Sequence, residues 1–335
     1  MKHSVMDLIA QAVRILAAGG LVAFPTETVY GLGADATNAD AIRRIFAAKG
    51  RPATNPLIAH VADADMARRY ALHWPRHAQV LGDLFWPGPL TLVLAKSAEI
   101  AAQTTAGGAT VGLRCPNHPL ALELLRAFGG AVAAPSANRS THISPTTAEH
   151  VREELGDAVD LVLDGGPCQL GIESTVLDLS RPTPTLLRPG SITREQIERA
   201  IGPVEVFHDA IDPTHPAASP GQQAVHYAPQ APAYRFCRDE VDAVIRWCEA
   251  HPRATRSILT VGAMPPGLLG MTFDTLLEAP ADPQAYARDL YATLRKLDLP
   301  GTEAIFVEMP PDEPAWTAVR DRIRRATVPI QGFRS

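Results

Sequence analysis

Hydrophobic residues in the first 190 positions follow two alternating spacings. From Met6 to Leu16 they recur every three or four positions, as on the buried face of a helix, and Gly19-Gly20 ends the pattern. Residues 21–24 form a short apolar run of the kind that becomes a buried strand. Repeats of these two patterns predict helices at 39–48, between 64 and 84, at 120–128 and at 146–155, and strands at 57–61, 90–94, 110–114, 131–134 and near 161, 176 and 186. The alternation predicts an α/β fold, and the closely spaced late strands favour a twisted mixed sheet.

A second, smaller α/β domain is predicted beyond a proline-rich stretch. Residues 206–234 contain five prolines and no periodic apolar pattern, as expected of a linker. Helical patterns return at 241–248, 286–297 and 316–326, and strand patterns return at 258–261 and 305–308. We therefore predict a first domain at 1–206, a linker at 207–233 and a Rossmann-like α/β domain at 234–335.

The length of 335 residues fits this division, because a typical domain has about 150 residues. Hydrophobic residues make up 46% of the chain and charged residues 20%, which suffices for two cores and excludes a disordered chain. No window approaches the ~18 apolar residues of a membrane span, and Asp7 and Arg14 interrupt the first apolar segment, unlike in a signal peptide. We therefore expect a cytoplasmic protein that does not contact membranes.

Charge and cysteine content exclude further classes of protein. The formal net charge is −5, from 31 basic and 36 acidic residues, so the chain lacks the basic excess of nonspecific nucleic-acid binders, although a local patch stays open. The four cysteines form no CxxC pair, which argues against a disulfide framework or a zinc knuckle. Because only four of the basic residues are lysines, a lysine among polar motifs is notable.

Residues 31–36 match the letters of the GxGxxA dinucleotide fingerprint but not its context. In that fingerprint the first glycine turns directly off a strand, and a helix begins within the motif. Here six residues separate the predicted strand from Gly31, and the next helix begins only after Asn38. We therefore predict no nicotinamide site. The GxxxxGK[ST], HExxH and GxSxG motifs do not occur in the sequence either.

Polar residues cluster where the predicted strands and helices end. Thr26-Glu27-Thr28 follows the first strand, which is where open α/β sheets bind ligands. Lys49-Gly50-Arg51 follows a helix, where cations and a glycine cap also have a purely structural use. The same holds for His60, which lies in an apolar run typical of a core histidine, and for Ser144, which is placed to cap the next helix.

Arginines close two further predicted strands. Arg114 follows 110–113 and Arg188 follows 185–187. Together with Lys49 and Arg51 they form a set of cations suited to phosphate or carboxylate groups.

These segments resemble one family in their order and spacing. The segments are FPTETVYGLGADA, KGRPATNPLIAHV, FWPGPLTLVL, VGLRCPNHPLA, AAPSANRS, SPTTAEHV, DGGPCQLGIESTVLDL and LLRPGSI. They resemble the YrdC-like domain across roughly residues 5–205. The linker around His226-Tyr227 and the second domain resemble the long, two-domain form of threonylcarbamoyl-AMP synthase. One departure is Gln222-Gln223, where related proteins often carry a basic residue.

The resemblance implies a reaction and a set of site residues. Such enzymes condense L-threonine, bicarbonate and ATP into L-threonylcarbamoyladenylate and release pyrophosphate. A separate tRNA threonylcarbamoyl transferase then uses the product to modify the adenosine next to the anticodon. The residues implied for L-threonine are Thr28, His60, Arg114, the backbone of Ala134, and Ser174. Those implied for ATP are Arg51, Asn55, Thr110, Ser136, Ser144, Arg188 and the lid residue Tyr227, and the implied catalytic cations are Lys49, Arg51 and Arg188. Mg²⁺ is expected on the ATP phosphates and water, with no commitment to Glu27 or Glu173 as ligands.

Two other activities stay open at this point. The YrdC-like fold also occurs in carbamoyltransferases of hydrogenase maturation, which form a carbamoyl-adenylate. Those proteins carry zinc-finger-like modules, however, and this sequence has no paired cysteines. The other alternative is an RNA-binding or ribosome-assembly factor that contacts RNA with its cationic face. The acidic balance argues against that as the main role, and a weak contact with RNA remains open.

Overall fold

The computed structural model describes residues 5–207 and 227–330 and divides the chain into two units. The described part of the first unit is 5–140 and 144–207, and that of the second unit is 141–143 and 227–330. Residues 208–226, which include Gln222, Gln223 and His226, lie outside the described residues, so the predicted linker boundaries stay predictions. No described helix is long and apolar enough to cross a membrane.

The first unit alternates helices and strands, as the hydrophobic pattern predicts. Its helices are α1 Val5–Ala17, α2 Ala39–Lys49, α3 Ala64–Tyr70, α4 Arg76–Phe85, α5 Pro119–Phe128, α6 Ala148–Leu155 and α7 Arg194–Ile201. Its strands are β1 Val22–Phe24, β2 Gly31–Asp35, β3 Ile58–His60, β4 Leu90–Ala95, β5 Thr110–Arg114, β6 Val132–Ala133, β7 Leu161–Val162, β8 Thr175–Asp178, β9 Thr185–Arg188 and β10 Glu205–Val206.

Local signals in the sequence set both ends of α2. The Asn38 side chain accepts hydrogen bonds from the backbone N–H groups of Asp40 and Ala41, which have no partner inside the helix. At the other end Gly50 adopts φ 59°, the left-handed conformation that glycine reaches without steric cost. The helix therefore presents Lys49 at a fixed point, immediately before the polar loop.

The strands described in the first unit form one mixed sheet in the order β10-β9-β8-β4-β5-β3-β6-β2-β1-β7. Strand β3 is parallel to β5, β5 is antiparallel to β4, β4 is parallel to β8, and β8 is antiparallel to β9. The strands β3, β5 and β9 therefore run in one direction and end at one edge of the sheet. Two apolar clusters pack against the sheet, one with Leu16 and Leu124 from α1 and α5, the other with Ile42 and Leu81 from α2 and α4.

The second unit contains a parallel sheet with helices. Its helices are α8 Val241–Ala250, α9 Pro283–Leu297 and α10 Thr317–Ala326, and its strands are β11 Ala233–Phe236, β12 Arg256–Val261, β13 Thr275–Ala279, β14 Ala304–Glu308 and β15 Val328–Pro329. The described strands pair in the order β13-β12-β14-β11-β15, and every pair is parallel. Trp247 packs edge-on against Phe306 in its core, with ring centroids 5.2 Å apart. The predicted Rossmann-like second domain is confirmed in this sheet.

Strand β2 is one of the elements that the sequence pattern did not predict, along with α7, β10, β11, β13 and β15. Gly31 and Gly33 have low strand propensity, but here they pair with β1, with Gly31 opposite Phe24. A Cβ atom on Gly33 would lie 2.7 Å from a methyl group of Val132 and 2.8 Å from the Phe24 ring. The glycine is therefore required by close packing between strands, and residues 31–35 form a strand instead of the turn that a nucleotide fingerprint needs.

Candidate active site

His60, Arg114 and Arg188 are the last residues of the parallel strands β3, β5 and β9. The register places His60 opposite Arg114, and it places Val176 opposite both Thr91 and Arg188. These strands are neighbours in the order β3-β5-β4-β8-β9, so the three side chains lie along one row across the sheet. Each of the three residues is at most 4% exposed. The cations expected at strand ends are thus collected at one buried edge.

Arg114 forms a buried ion pair with Glu27. Its Nη2 atom lies 2.8 Å from Glu27 Oε1, and both side chains are at most 5% exposed. The other carboxylate oxygen, Oε2, accepts a hydrogen bond from the backbone N–H of Asn117 at 3.0 Å. The pair is therefore held in place from the loop that follows β5.

His60 lies next to Arg114 as a neutral imidazole. Burial, together with the Arg114 guanidinium, lowers the pKa of His60 to about 3. The ring packs edge-on against Phe24, with centroids 5.7 Å apart. At neutral pH His60 therefore offers one hydrogen-bond donor and one acceptor and carries no charge.

Several buried polar atoms in this cluster have no hydrogen-bond partner among the described residues. They are Glu27 Oε1, His60 Nδ1, and Arg114 Nε and Nη2. Arg114 Nη2 and Glu27 Oε1 are 2.8 Å apart as an ion pair without hydrogen-bond geometry, whereas the other two atoms have no hydrogen-bond partner among the described residues. Each buried polar group without a partner costs about 1–3 kcal/mol, and more when it is charged. Such atoms beside a buried ion pair indicate a polar ligand with complementary groups.

Ser174 connects Arg188 to the start of β4. Arg188 donates from Nη2 to Ser174 Oγ at 3.2 Å and from Nε to the Ser174 backbone oxygen at 3.1 Å. The hydroxyl of Ser174 lies 2.8 Å from that of Thr91. The chain passes very close behind them, because a Cβ atom on Gly190 would lie 2.4 Å from the Thr175 nitrogen. These contacts fix the Arg188 guanidinium relative to Ser174.

Ser144 is not the cap of the following helix. The N-cap of α6 is Thr147, whose hydroxyl accepts a hydrogen bond from the backbone N–H of His150 at 3.2 Å. Ser144 Oγ instead donates to Glu173 Oε1 at 2.7 Å. The capping interpretation is therefore wrong, and Ser144 is joined to the segment that carries Ser174.

Lys49 is buried beneath the loop that carries Ser136. Its ammonium group donates to the backbone oxygen of Ser136 at 2.6 Å and to that of Asn138. Burial and the neighbouring Arg51 guanidinium lower the pKa of Lys49 well below its ordinary value. Arg51 also contacts its own loop, where Nε lies 3.4 Å from the Asn55 backbone oxygen. The structure therefore shows Lys49 as the anchor of the Ser136 loop.

Two loops with predicted nucleotide contacts are held by the backbone of Tyr30. Its N–H donates to the Pro145 oxygen at 2.9 Å, and its own oxygen accepts from the Ala137 N–H at 2.8 Å. Ser144 and Ser136 are the chain neighbours of these two residues. The Ser136 and Ser144 loops thus meet on the segment after β1.

Thr28 and Ala134 lie on segments beside the row of strand ends. The hydroxyl of Thr28 is 2.8 Å from that of Thr26, and both residues are buried. The backbone N–H of Ala134 donates to the Ile58 oxygen at 2.8 Å, two residues before His60.

Thr110 and Tyr227 are the remaining predicted site residues. Thr110 begins β5, so it lies roughly 13 Å along the strand from Arg114. Tyr227 belongs to the second unit, where its ring lies 5.6 Å from that of Tyr291 and beneath the Arg322 guanidinium. The nucleotide contacts of both residues stay predictions.

Known proteins match both units of the chain. The family model described as Telomere recombination matches residues 14–190, and that described as Threonylcarbamoyl-AMP synthase, C-terminal domain, matches residues 192–328. Threonylcarbamoyl-AMP synthase of Bacillus subtilis is 41% identical over 321 residues, which are 95% of this chain and 92% of the relative. The chain belongs to the threonylcarbamoyl-AMP synthase family.

A relative and a solved structure from Pyrococcus abyssi agree with this assignment. Threonylcarbamoyl-AMP synthase of Pyrococcus abyssi is 40% identical over 318 residues, covering 92% of this chain and 91% of the relative. The crystal structure of P. abyssi Sua5 complexed with L-threonine has a TM-score of 0.88 at 36% identity and covers 97% of this chain and 95% of its own. The predicted YrdC-like and C-terminal α/β architecture is confirmed.

As a member of the threonylcarbamoyl-AMP synthase family, the chain is an enzyme. It makes L-threonylcarbamoyladenylate from L-threonine, bicarbonate and ATP, a step of tRNA processing. This activity takes the place of the two alternatives that the sequence left open.

Sequence reasoning missed the partners of the predicted site residues. Glu27 pairs with Arg114, Glu173 accepts from Ser144, and Thr91 contacts Ser174. The position of Glu27 between Thr26 and Thr28, directly after a strand, was a usable signal. The position of Thr91 inside a strand gave no signal, because only the pairing of β4 with β8 brings it to the site.

The neutral His60 predicts a specific pH dependence of stability. An unfolded histidine has a pKa near 6.5, so the folded state, with a pKa of about 3, binds fewer protons between these values. Stability contributed by His60 is therefore present above about pH 6.5 and falls as the pH falls, by about 2 kcal/mol at pH 5. Urea unfolding of the wild type and of His60→Asn at pH 7.5 and pH 5 measures this difference.

The exposed His77 provides the control for this measurement. Its ring is solvated in the folded and unfolded states, so His77→Asn should keep the acid-induced loss of the wild type. The interpretation of His60 is contradicted if His60→Asn shows the same loss between pH 7.5 and pH 5.

Proposed function

We propose that the cluster of Glu27, His60 and Arg114 binds L-threonine, and that the cations and hydroxyls beside it bind ATP. The observation that supports this division is the set of unsatisfied buried atoms around Arg114. A guanidinium whose N–H groups are not all hydrogen-bonded recognises a carboxylate, and the neutral His60 beside it suits a hydroxyl or an amine. Thr28, Ala134 and Ser174 complete the proposed threonine pocket.

The chemistry requires positioning and charge rather than a protein nucleophile. The threonine amine and bicarbonate form a carbamate with loss of water, and a carbamate oxygen then attacks the α-phosphorus of ATP. The bond from the α-phosphorus to the bridging oxygen breaks, and pyrophosphate leaves. Because both reactants are anionic, fixed cations and hydrogen-bond donors supply the main stabilisation.

We assign ATP binding to the residues around Lys49 and to Arg188. The proposed contacts are Arg51, Asn55, Thr110, Ser136, Ser144 and Arg188, with Lys49 near the phosphates. Arg188 and Ser174 are hydrogen-bonded to each other, so the proposed phosphate and threonine contacts adjoin at this point. Lys49 acts chiefly through the loop that it anchors, by fixing the Ser136 backbone.

Three further roles belong to the same proposal. Tyr227 covers the bound nucleotide as part of the linker, Mg²⁺ arrives with ATP on its phosphates and water, and the adenylate passes to a tRNA threonylcarbamoyl transferase in the cytoplasm. Direct contact with RNA is at most weak, in keeping with the net charge of −5.

Pyrophosphate release by the 335-residue chain tests the proposed sequence of chemical steps. Release should require ATP, L-threonine and bicarbonate together. Carbamoyl phosphate should not replace threonine and bicarbonate, and added tRNA should change the rate little. Release of pyrophosphate with carbamoyl phosphate, or without threonine, would contradict the proposal.

A further inference from the structure

Glu27 is a buried carboxylate beside Arg114, and the reaction gives it no task. Its Oε1 lies 2.8 Å from Arg114 Nη2, and its Oε2 accepts from the Asn117 backbone N–H at 3.0 Å. Its own backbone oxygen accepts from the Leu170 N–H at 2.8 Å. Contacts from two different loops therefore hold this carboxylate in position, while Oε1 has no hydrogen bond to any described residue.

The charges in this cluster cancel at neutral pH. Arg114 carries +1 and Glu27 carries −1, and His60 adds no charge because its pKa is about 3. Before the carbamate forms, a ligand that binds with a net charge would leave that charge buried and uncompensated, which is unfavourable in a site of low dielectric constant. A ligand that carries one charge of each sign leaves the site neutral.

A free α-amino acid has this charge pattern on two groups bonded to one carbon. Its carboxylate matches the unsatisfied N–H groups of Arg114, and its ammonium group matches the unsatisfied Oε1 of Glu27. The four charges then alternate in sign around the site, so each has an opposite neighbour. A hydroxy acid or simple carboxylate would satisfy Arg114 but place a second anion next to Glu27.

We propose that Glu27 determines specificity for the free amino acid by accepting a hydrogen bond from the α-ammonium group of threonine. This inference rests on the proposed threonine pocket and adds a selection rule to it. Arg114 provides affinity for any carboxylate, and Glu27 rejects carboxylates that lack an ammonium group by leaving like charges side by side.

The test compares L-threonine with 3-hydroxybutanoate, which keeps the carboxylate and the hydroxyl but has hydrogen in place of the ammonium group. Calorimetry measures threonine affinity, and competition against threonine measures the analogue, in the wild type and in Glu27→Gln. We expect the wild type to bind threonine about a hundredfold or more tightly than 3-hydroxybutanoate. In Glu27→Gln this ratio of affinities should be at least about tenfold smaller. Threonine should bind more weakly to Glu27→Gln, and 3-hydroxybutanoate should bind at least as tightly as before.

The ratio separates selection from a merely structural role of Glu27. If Glu27 only orients Arg114, Glu27→Gln weakens both ligands equally and the ratio stays at the wild-type value, which overturns the inference. Glu173→Gln is the matched control, since it neutralises a buried carboxylate that accepts from Ser144 and should not change the ratio.

Two further measurements keep the inference testable. If Glu27→Gln does not fold, the wild type and Glu27→Asp decide the question. Equal affinity of the wild type for threonine and 3-hydroxybutanoate overturns the inference. A strong preference of the wild type for threonine that is smaller in Glu27→Asp supports it. Threonine binding to Arg114→Ala distinguishes this inference from the proposed pocket. If Arg114→Ala binds threonine normally, the proposed pocket itself is wrong. If Arg114→Ala loses threonine binding but Glu27→Gln keeps the wild-type ratio of affinities, only the role of Glu27 is refuted.

Discussion

Replacing Arg114 with alanine should weaken L-threonine binding by at least about thirtyfold while ATP affinity changes less than about threefold. Two effects add up in this variant. The threonine carboxylate loses its guanidinium partner, and Glu27 becomes a buried carboxylate without its cation. Truncating one side of a buried charge pair costs about 2–5 kcal/mol, and the remaining anion also repels the incoming carboxylate.

Titration calorimetry with threonine and with a nonhydrolysable ATP analogue, each alone, measures the two affinities. Arg126→Ala is the matched control, because Arg126 is exposed on α5 in the same unit and should leave both affinities unchanged. Arg114→Lys separates charge from shape, since an ammonium keeps the charge but loses the planar fork that binds a carboxylate with two hydrogen bonds. Threonine affinity equal to the wild type in Arg114→Ala would remove Arg114 from the pocket.

Signals between residues close in sequence predicted the elements whose ends they determine. The strand ends at Arg114 and Arg188 and the start of α2 after Asn38 depend on neighbouring residues, and the structure confirms all three. The same kind of signal was available for α7, where Thr193 and Gln196 form a capping box. Short-range chemistry therefore sufficed for most helices and for the strands that carry the site.

What the sequence could not predict depends on contacts between distant segments. Strand β2 exists because Gly33 fits against Val132 and Phe24, and glycine itself favours no strand. In the same way, the pairing of Glu27 with Arg114 arises only when the loop after β1 meets the end of β5. Residue types thus indicated the chemistry of the site, while tertiary packing determined which of those residues act together.

Lys49 fits both interpretations of its motif, the structural one and the functional one. It ends α2 before a left-handed glycine, as a structural cation would, and it also reaches the loop that carries Ser136. The expected large effect of its loss follows from this second contact. An unanchored Ser136 backbone would no longer present fixed donors to the nucleotide, and enzymes depend on such preorganised groups for much of their rate.

Lys49→Met should therefore lower the exchange of labelled pyrophosphate into ATP, with threonine and bicarbonate present, by at least about a hundredfold. Methionine keeps the apolar stem but removes the ammonium group that bonds the Ser136 and Asn138 oxygens. The effect on the free energy of unfolding should be small by comparison. Losing the two hydrogen bonds destabilises the fold, but removing a buried charge stabilises it by a similar amount. Threonine affinity should stay within about threefold, since Arg114 is unaffected. Lys96→Met is the matched control: its ammonium also donates to a backbone oxygen, but to that of Ile100 at 3.3 Å and not to the Ser136 loop. Near-normal exchange in Lys49→Met, or an equal loss in Lys96→Met, would show that anchoring by Lys49 does not control the nucleotide site.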